Sequence, residues 1–502
     1  MKGAKMYKFI KLLVVIAIFV ALSACATPTI SDHLQLVNIT LPPGDPNANI
    51  NLTRVIGGGI DYGRDVTCDA DDTCTLFGFT FKSFGETTDF LAIHLNASGT
   101  ATWARAYGGT NKDELWRVIK TKDQGHLLIG TSESLFFTGL KVFSPQGRRR
   151  PFILKLDKDG HMQWSKTLEI RYADASLLNA TQDSEGNYIL VGKLYVNLKL
   201  PDQRSKEEQQ WQWQGENLNL DKAWQDVLDK TEYRRDILVL KLAANGRPIF
   251  MNRYIPNKNL SIGSSVSPLP NGHALIADQE EELSANIKYP GLLEIDSNGV
   301  PVRAESFKSG MYEYPNFILR QPGGGVILAG TTSRSEELPK IFSLWLDKEG
   351  VIQNARLYSN PKGLQVMNTV LGHNDKLSIA ARTFKGDTKT EAGVAFTAND
   401  NGIIDNSVAL SGQGNIELDG IWPLTRGGYR LLGDAAGFGA TYVNIITAIW
   451  TSNTKADFPI SESGYAPTVA ISKIYFMSGD LSSVTDIPVS LVKMTEISVS
   501  GN

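Results

Sequence analysis

The chain has 502 residues, 42% of them hydrophobic, 46 glycines and a formal net charge of −3. That is enough apolar material for a large core. A mildly acidic balance argues against nonspecific nucleic-acid binding, which needs a basic face.

In chain order, the first element is "MKGAKMYKFIKLLVVIAIFVALSAC": four lysines, an apolar run from Leu12 to Leu22, small residues, then Cys25. A basic start before a short apolar run reads as a secretory signal, since a spanning helix needs about 20 apolar residues. Leu22-Ser23-Ala24-Cys25 resembles the lipobox of bacterial lipoproteins. The resemblance implies that residues 1–24 are removed and that Cys25 carries lipid, anchoring the protein to a membrane through its N-terminus. Ala26 after the cysteine, where an aspartate would favour the inner membrane, makes the outer membrane the expected address, periplasmic or surface-facing. Without residues 1–24, 46 basic residues face 53 acidic ones, about −7. Residues 25–50 read as tether and linker.

From residue 51 onward the chain repeats itself. "CTLFGFT" (74–80), "HLLIGTS" (126–132), "NYILVGK" (187–193), "GVILAGT" (325–331) and "GYRLLGD" (428–434) are copies of one short strand. "HALIADQ" (273–279) and "KLSIAAR" (376–382) are weaker copies. A turn precedes each copy, and a strand–turn–strand unit follows it, such as "DFLAIHLNASGTATWARAYGG" (89–109) or "PFILKLDKDGHMQWSKTLEIR" (151–171). Two hairpins per unit, about every 50 residues outside insertions, predict an all-β seven-bladed β-propeller of four-stranded antiparallel blades. "LTRVIGG" (52–58) copies "WARAYGG" (103–109), so it is expected to close the last blade. The propeller is assigned to 51–479. The tail, 480–502, is left to supply closing strands, to wrap the ring or to build an eighth, degenerate blade.

The best-preserved unit resembles the repeats of secreted bacterial seven-bladed propeller proteins. Ser83-Phe84-Gly85, Asp89-Phe90-Leu91 and the Trp103…Gly108-Gly109 junction carry the likeness. Asp61 and Asp113 lie 17 residues before Gly78 and Gly130. The resemblance implies a fold and no single reaction.

"VTCDADDTCT" (66–75) falls on the first hairpin turn of its unit. With Cys25 given to lipid, Cys68 and Cys74 are expected to form a disulfide across that turn. The competing readings are a weak calcium site on Asp69, Asp71 and Asp72, and a redox pair. The first lacks the glycine and the distal glutamate of an EF-hand loop, and the second lacks CxxC spacing.

Catalytic signals are sparse. Among the six histidines, His126 and His273 replace Tyr188 and Tyr429 of sister units and read as packing; no zinc-type spacing, nucleophile elbow or P-loop is present. Asp61, Asp113 and Glu313 recur near unit starts. They read either as a channel-lining acid–base pair or, preferred, as ties between blades. Trp103 and Trp164 share one repeat position and read as core. The segment 199–234, inserted in the third unit, carries Trp211, Trp213 and Trp224, with Leu220, Trp224, Val227 and Leu228 at helical spacing, so one helical insertion is expected. "PQGRRRP" (145–151) inserts at the equivalent place of the second unit. Arg148, Arg149 and Arg150, with Trp211, Trp213, Trp224 and Leu228, are therefore the expected contacts to a partner.

The leading functional expectation is a lipid-anchored propeller that binds other cell-envelope proteins as a scaffold or assembly subunit. No catalytic residue, metal or cofactor is assigned. The alternative is a propeller that binds or transforms a sugar or small molecule in its central channel. A quinone-dependent dehydrogenase is a weaker third reading, because no adjacent-cysteine pair or cofactor-ligand cluster is present.

Overall fold

The computed structural model describes residues 33–39, 51–56, 61–83, 87–134, 150–168, 170, 173–197, 233–256, 260–282, 287–334, 337–383, 391–410, 415–436, 443–451, 460–464, 466–472, 474–479, 481, 484–487 and 493–501. Cys25, Arg148, Arg149 and the inserted segment with Trp211, Trp213, Trp224 and Leu228 lie outside the described residues.

The repeat folds as read: a seven-bladed β-propeller, with blades at 61–108, 113–168, 173–256, 260–308, 313–359, 364–410 and 415–450. Strands a to d of each blade run from axis to rim. Strands b and c are buried on both faces, which is why they read as unbroken apolar runs. Phe90, Leu91, Ala92 and Ile93 of blade 1 are all essentially inaccessible. Seven apolar clusters hold the ring, one at each blade–blade interface. Between blades 1 and 2, Phe90 stacks on Phe152 with centroids 4.7 Å apart.

The repeated glycine has a definite cause. Every a strand carries a β-bulge, after Gly63, Leu115, Leu177, Gly263, Pro315, Val366 or Leu418. The bulge drives a carbonyl onto strand b. A Cβ at Gly78 would overlap the Tyr62 carbonyl, and one at Gly192 the Ser176 carbonyl. The two weaker copies place Asp278 and Ala381 opposite the bulge instead.

Tyrosines latch alternate interfaces. Tyr107, Tyr254 and Tyr358 on d strands donate their hydroxyls to the carbonyls of Gly160, Gly299 and Gly402 in the next blade's c–d turn, at 2.6, 2.6 and 3.0 Å.

Closure uses both ends of the chain. Asn51–Ile56 pairs with Asn444–Trp450 as the d strand of blade 7. Its Leu52 packs toward blade 6 and its Val55 toward blade 1. His33–Ile39 then pairs antiparallel with Asn51–Ile56 and parallel with the C-terminal strand Lys493–Gly501, which itself pairs with Ala101–Gly108 of blade 1. Blades 7 and 1 thus share one continuous ten-stranded sheet.

The tail builds no eighth blade. It runs backwards around the rim as a belt: Ser461–Gly464 on blade 5, Thr468–Ile471 on blade 4, Ile474–Ser478 on blade 3, Val484–Asp486 on blade 2 and Lys493–Gly501 on blade 1. Each segment caps an edge strand that would otherwise expose unpaired amides and carbonyls. Val484 and Ile487 also enter the interface cores. Among the described residues, blade 6 alone keeps four strands.

A chain ending at residue 465 keeps its seven blades but loses four belt segments. Its thermal midpoint, followed by circular dichroism, is expected to fall by on the order of 10 °C. An unchanged midpoint would mean that the belt rests on the rim without stabilising it.

Candidate functional site

A propeller presents two faces and an axis, and the chain distributes its chemistry unequally among them. One face carries the a–b and c–d hairpin turns. The other carries the b–c connections and the crossings between blades. Both insertions leave from this second, loop face: the strands flanking 135–149 pair as Ser132 with Arg150, and those flanking 198–232 pair as Asn197 with Tyr233. The two sites of exit lie on adjacent blades.

The axis is closed by side chains just past the bulges. The Asp65 carboxylate accepts hydrogen bonds from its neighbour Val66 N (3.0 Å), from Val118 N of blade 2 (3.3 Å) and from Asn368 Nδ2 of blade 6 (3.0 Å). Arg117 of blade 2 lies 3.7 Å from Asp65 and stacks its guanidinium 4.7 Å from the Phe317 ring of blade 5. Blades on opposite sides of the axis therefore touch. Burial pushes the Asp65 pKa up and the Arg117 pKa down. Beside them, Arg64 pairs with Asp419 (3.4 Å), and the Asp434 carboxylate accepts the Gly63 N–H across the seam (2.5 Å). Burial raises the pKa of both aspartates. Towards the loop face the inner strands show half-buried Tyr62, Glu114, Tyr314 and Glu417, with Trp116 43% exposed.

Asp61, Asp113 and Glu313 are buried in the blades rather than lining a channel. Asp113 ties blade 2 to blade 1, and the Asp61 backbone N–H donates to Val443 O of blade 7 (3.2 Å). Asp113 Oδ2 accepts Gly109 N (2.7 Å) and the Ser134 hydroxyl (3.1 Å), while its backbone exchanges hydrogen bonds with Thr88 Oγ1 of blade 1. Burial lifts Asp61 and Asp113 to about 6 and Glu313 to about 8. His126 is packed as expected: its ring lies tilted against Phe77 with centroids 4.8 Å apart and bonds Thr67 Oγ1 at 2.8 Å, and burial drops its pKa to about 3. His273 instead lies half-buried against Glu294, 2.8 Å away. Trp103 and Trp164 pack against the turns of the next blade, at Gly160 and Gly246.

The Cys68–Cys74 disulfide is formed, and both cysteines sit in the core between blades 7 and 1. The three aspartates between them have separate structural duties. Asp69 pairs with Lys120 of blade 2. Asp71 caps its own turn through Thr73 N (3.1 Å), and Asp72 accepts Thr425 N (2.5 Å) and Arg426 N (3.2 Å) from blade 7. They are ties, not a calcium cage. Among the described residues, Asp157, Asp159 and His161 lie close enough to hold a metal. Asp157 Oδ1 caps that turn through Asp159 N and His161 N, and Asp159 pairs with Lys158, so the trio is accounted for by turn chemistry.

Sequence reasoning missed a feature of the turn face. In each c–d turn an Asn or Asp side chain caps the loop or a glycine completes it, and the residue after the glycine points outward. At that position blades 1 to 3 carry Thr100, His161 and Arg247, whereas blades 4 to 6 carry Val300, Val351 and Ile403, which are 41%, 57% and 43% exposed. Val302 lies beside Val300, 52% exposed. The nearby charges Lys348 and Glu349 pair with each other. The result is an arc of exposed apolar side chains on rigid turns spanning three adjacent blades, set among Asp296, Asp347, Lys348, Glu349 and Asp400 of the same turns. Its signal was in the repeats "NGV", "EGV" and "NGI" against "SGT", "DGH" and "NGR".

No family model matches the chain, and no curated protein matches it. No helix among the described residues is long and apolar enough to cross a membrane.

Two outcomes follow. Arg117→Met strands the buried Asp65 charge and is expected to cost about 3–5 kcal/mol; adding Asp65→Asn should recover much of it. Chemical denaturation measures both, and an additive loss in the double variant would contradict the axial pairing. The pH dependence has a definite sign. Glu313 holds its proton more tightly folded than unfolded, so its contribution is present below its unfolded value near 4.5 and is lost as pH rises through about 8. Buried neutral His126 acts oppositely, losing stability as pH falls below about 6.5. Between pH 6.5 and 8.5 the denaturation midpoint should therefore fall, and Glu313→Gln should flatten that slope.

Proposed function

We propose that the protein is a lipid-anchored propeller of the bacterial cell envelope that serves as a docking scaffold for other envelope proteins. The lipid anchor rests on the lipobox-like Leu22-Ser23-Ala24-Cys25. The observation that carries the scaffold reading is the arc of Val300, Val351 and Ile403. Exposed apolar side chains grouped on one face and rimmed by polar residues have the composition of an interface. Their backbone is pre-ordered: Asp296, Asp347 and Asn399 each accept the N–H of the arc residue, at 2.8 to 3.0 Å. Little conformational entropy is left to lose on docking. The plugged axis points the same way, because a ring stitched through its centre offers surfaces more than a passage. The inserted segments, with Arg148, Arg149, Arg150, Trp211, Trp213, Trp224 and Leu228, remain proposed contacts on the loop face.

A second reading, a sugar or other small polar ligand at the loop-face mouth of the channel, is favoured by the partly exposed Tyr62, Trp116, Tyr314, Glu114 and Glu417 of the inner strands. Such rings suit stacking on a sugar face.

Crosslinking in intact cells separates these. With full-length protein, a Val351→Glu/Ile403→Glu variant and a version lacking 201–232, the scaffold reading expects recovery of a defined envelope partner to drop about tenfold or more in the double variant. If only the deletion loses it, the insertion is the contact. If none of the three recovers a partner, the scaffold reading fails and the channel mouth becomes the place to seek a ligand.

A further inference from the structure

We infer that the propeller sits on the bilayer with a fixed polarity: the loop face looks toward the lipid, and the turn face with its apolar arc looks away. This rests on the lipid-anchor reading above and deepens it.

The first observation is where the tether enters the ring. The strand Asn51–Ile56 climbs blade 7 toward the loop face, because residues 57–60 carry it from Ile56 to Asp61, the loop-face end of the first inner strand. His33–Ile39 runs antiparallel to it, with Gln35 opposite Ile56. His33 therefore starts at the loop-face edge of the rim. Seven residues lie between Cys25 and His33, giving eight Cα-to-Cα steps. Fully extended, they reach about 28 Å. An inner strand such as Asp61–Cys68 has 8 residues, so the ring is about 26 Å thick along its axis. With the loop face down, the tether has slack. With the turn face down, it must run nearly taut past the whole ring, and a chain held at full extension has lost its conformational freedom.

The second observation is charge. The hairpin turns of the turn face hold about twice as many acidic as basic residues, with Asp69, Asp71 and Asp72 clustered in one of them. An anionic lipid surface repels such a face. The loop face carries the exit of the arginine-rich segment at Arg150. This polarity presents the arc of Val300, Val351 and Ile403 to aqueous partners and leaves the inserted segments of the loop face to contact partners at the membrane surface.

The test uses the full-length protein purified from membranes and reconstituted into vesicles of phosphatidylethanolamine with phosphatidylglycerol. Single cysteines are placed on the loop face at Asn111→Cys and Leu338→Cys, and on the turn face at Ser297→Cys and Asn401→Cys. Each is labelled with a fluorophore and quenched by a lipid spin-labelled at its headgroup. All four positions are exposed, and the native cysteines are occupied by lipid or disulfide. The expected result is several-fold stronger quenching at residues 111 and 338 than at 297 and 401. Equal quenching at all four, or stronger quenching on the turn face, overturns the polarity while leaving the anchor intact. If the intact mass of the mature chain shows no lipid and the protein does not float with vesicles, the anchor reading itself falls, and the polarity with it.

Discussion

Everything in this molecule depends on closing a ring that the backbone does not close. Apart from the contacts at the axis, each blade packs its core only against its neighbours, so six of the seven interfaces join units consecutive in the chain, while the seventh, between blades 7 and 1, must bring sequence positions near 61 and 434 together. That seam is the most heavily tied part of the structure. Asn51–Ile56 supplies the missing strand, and Leu52 and Val55 fill the cores on both sides of it. Gly63 and Asp434, then Asp72 with Thr425 and Arg426, bond across it. The disulfide lies inside it. The parallel pair of N- and C-terminal strands makes blades 7 and 1 one sheet.

A ring closed this way tolerates an expensive interior. Asp61, Asp113, Glu313, Asp65, Arg117 and Asp419 are buried to a degree that shifts their protonation equilibria. Such groups cost several kcal/mol unless neutralised or paired. The three at blade starts are held toward neutrality at moderate pH, and Asp65 and Arg117 face each other. The hydrogen bonds that Asp65 and Asp113 accept help fix blade register and angle, which apolar contacts alone leave soft. The belt serves the same end from outside, capping the rims of five blades in the reverse of chain order.

The repeat was legible because each copy repeats a physical need. The glycine of "LFG", "LIG" and "LVG" answers the bulge on the strand beside it, and the Asn or Asp of the c–d turns caps a loop whose third residue onward needs a glycine. The closing strand was legible because it copies a d strand. The belt was not: its first four segments are only three to five residues long, pair through backbone groups, and carry no repeat of their own. The axial network was also hidden, because Asp65, Arg117, Phe317 and Asn368 occupy one position in the repeat but different chemistry, and only the geometry of the ring brings them together. The aspartates around Cys68 show the reverse case, an apparent ligand cluster whose members turn out to face three different blades.

The apolar arc belongs to the same logic. Turns held by closure and by side-chain caps can carry exposed valine and isoleucine without collapsing onto the core, so the blade 4 to 6 side of the ring keeps an exposed apolar arc that its sister turns lack. The measurement closest to the central claim is amide hydrogen exchange at the two chain ends. If the ends close the ring, His33–Ile39 and Lys493–Gly501 will be protected to the level of the closing strand Asn51–Ile56. If both exchange at the rate of unpaired chain while Asn51–Ile56 stays protected, the terminal strands do not form the seam, and the account of closure is wrong.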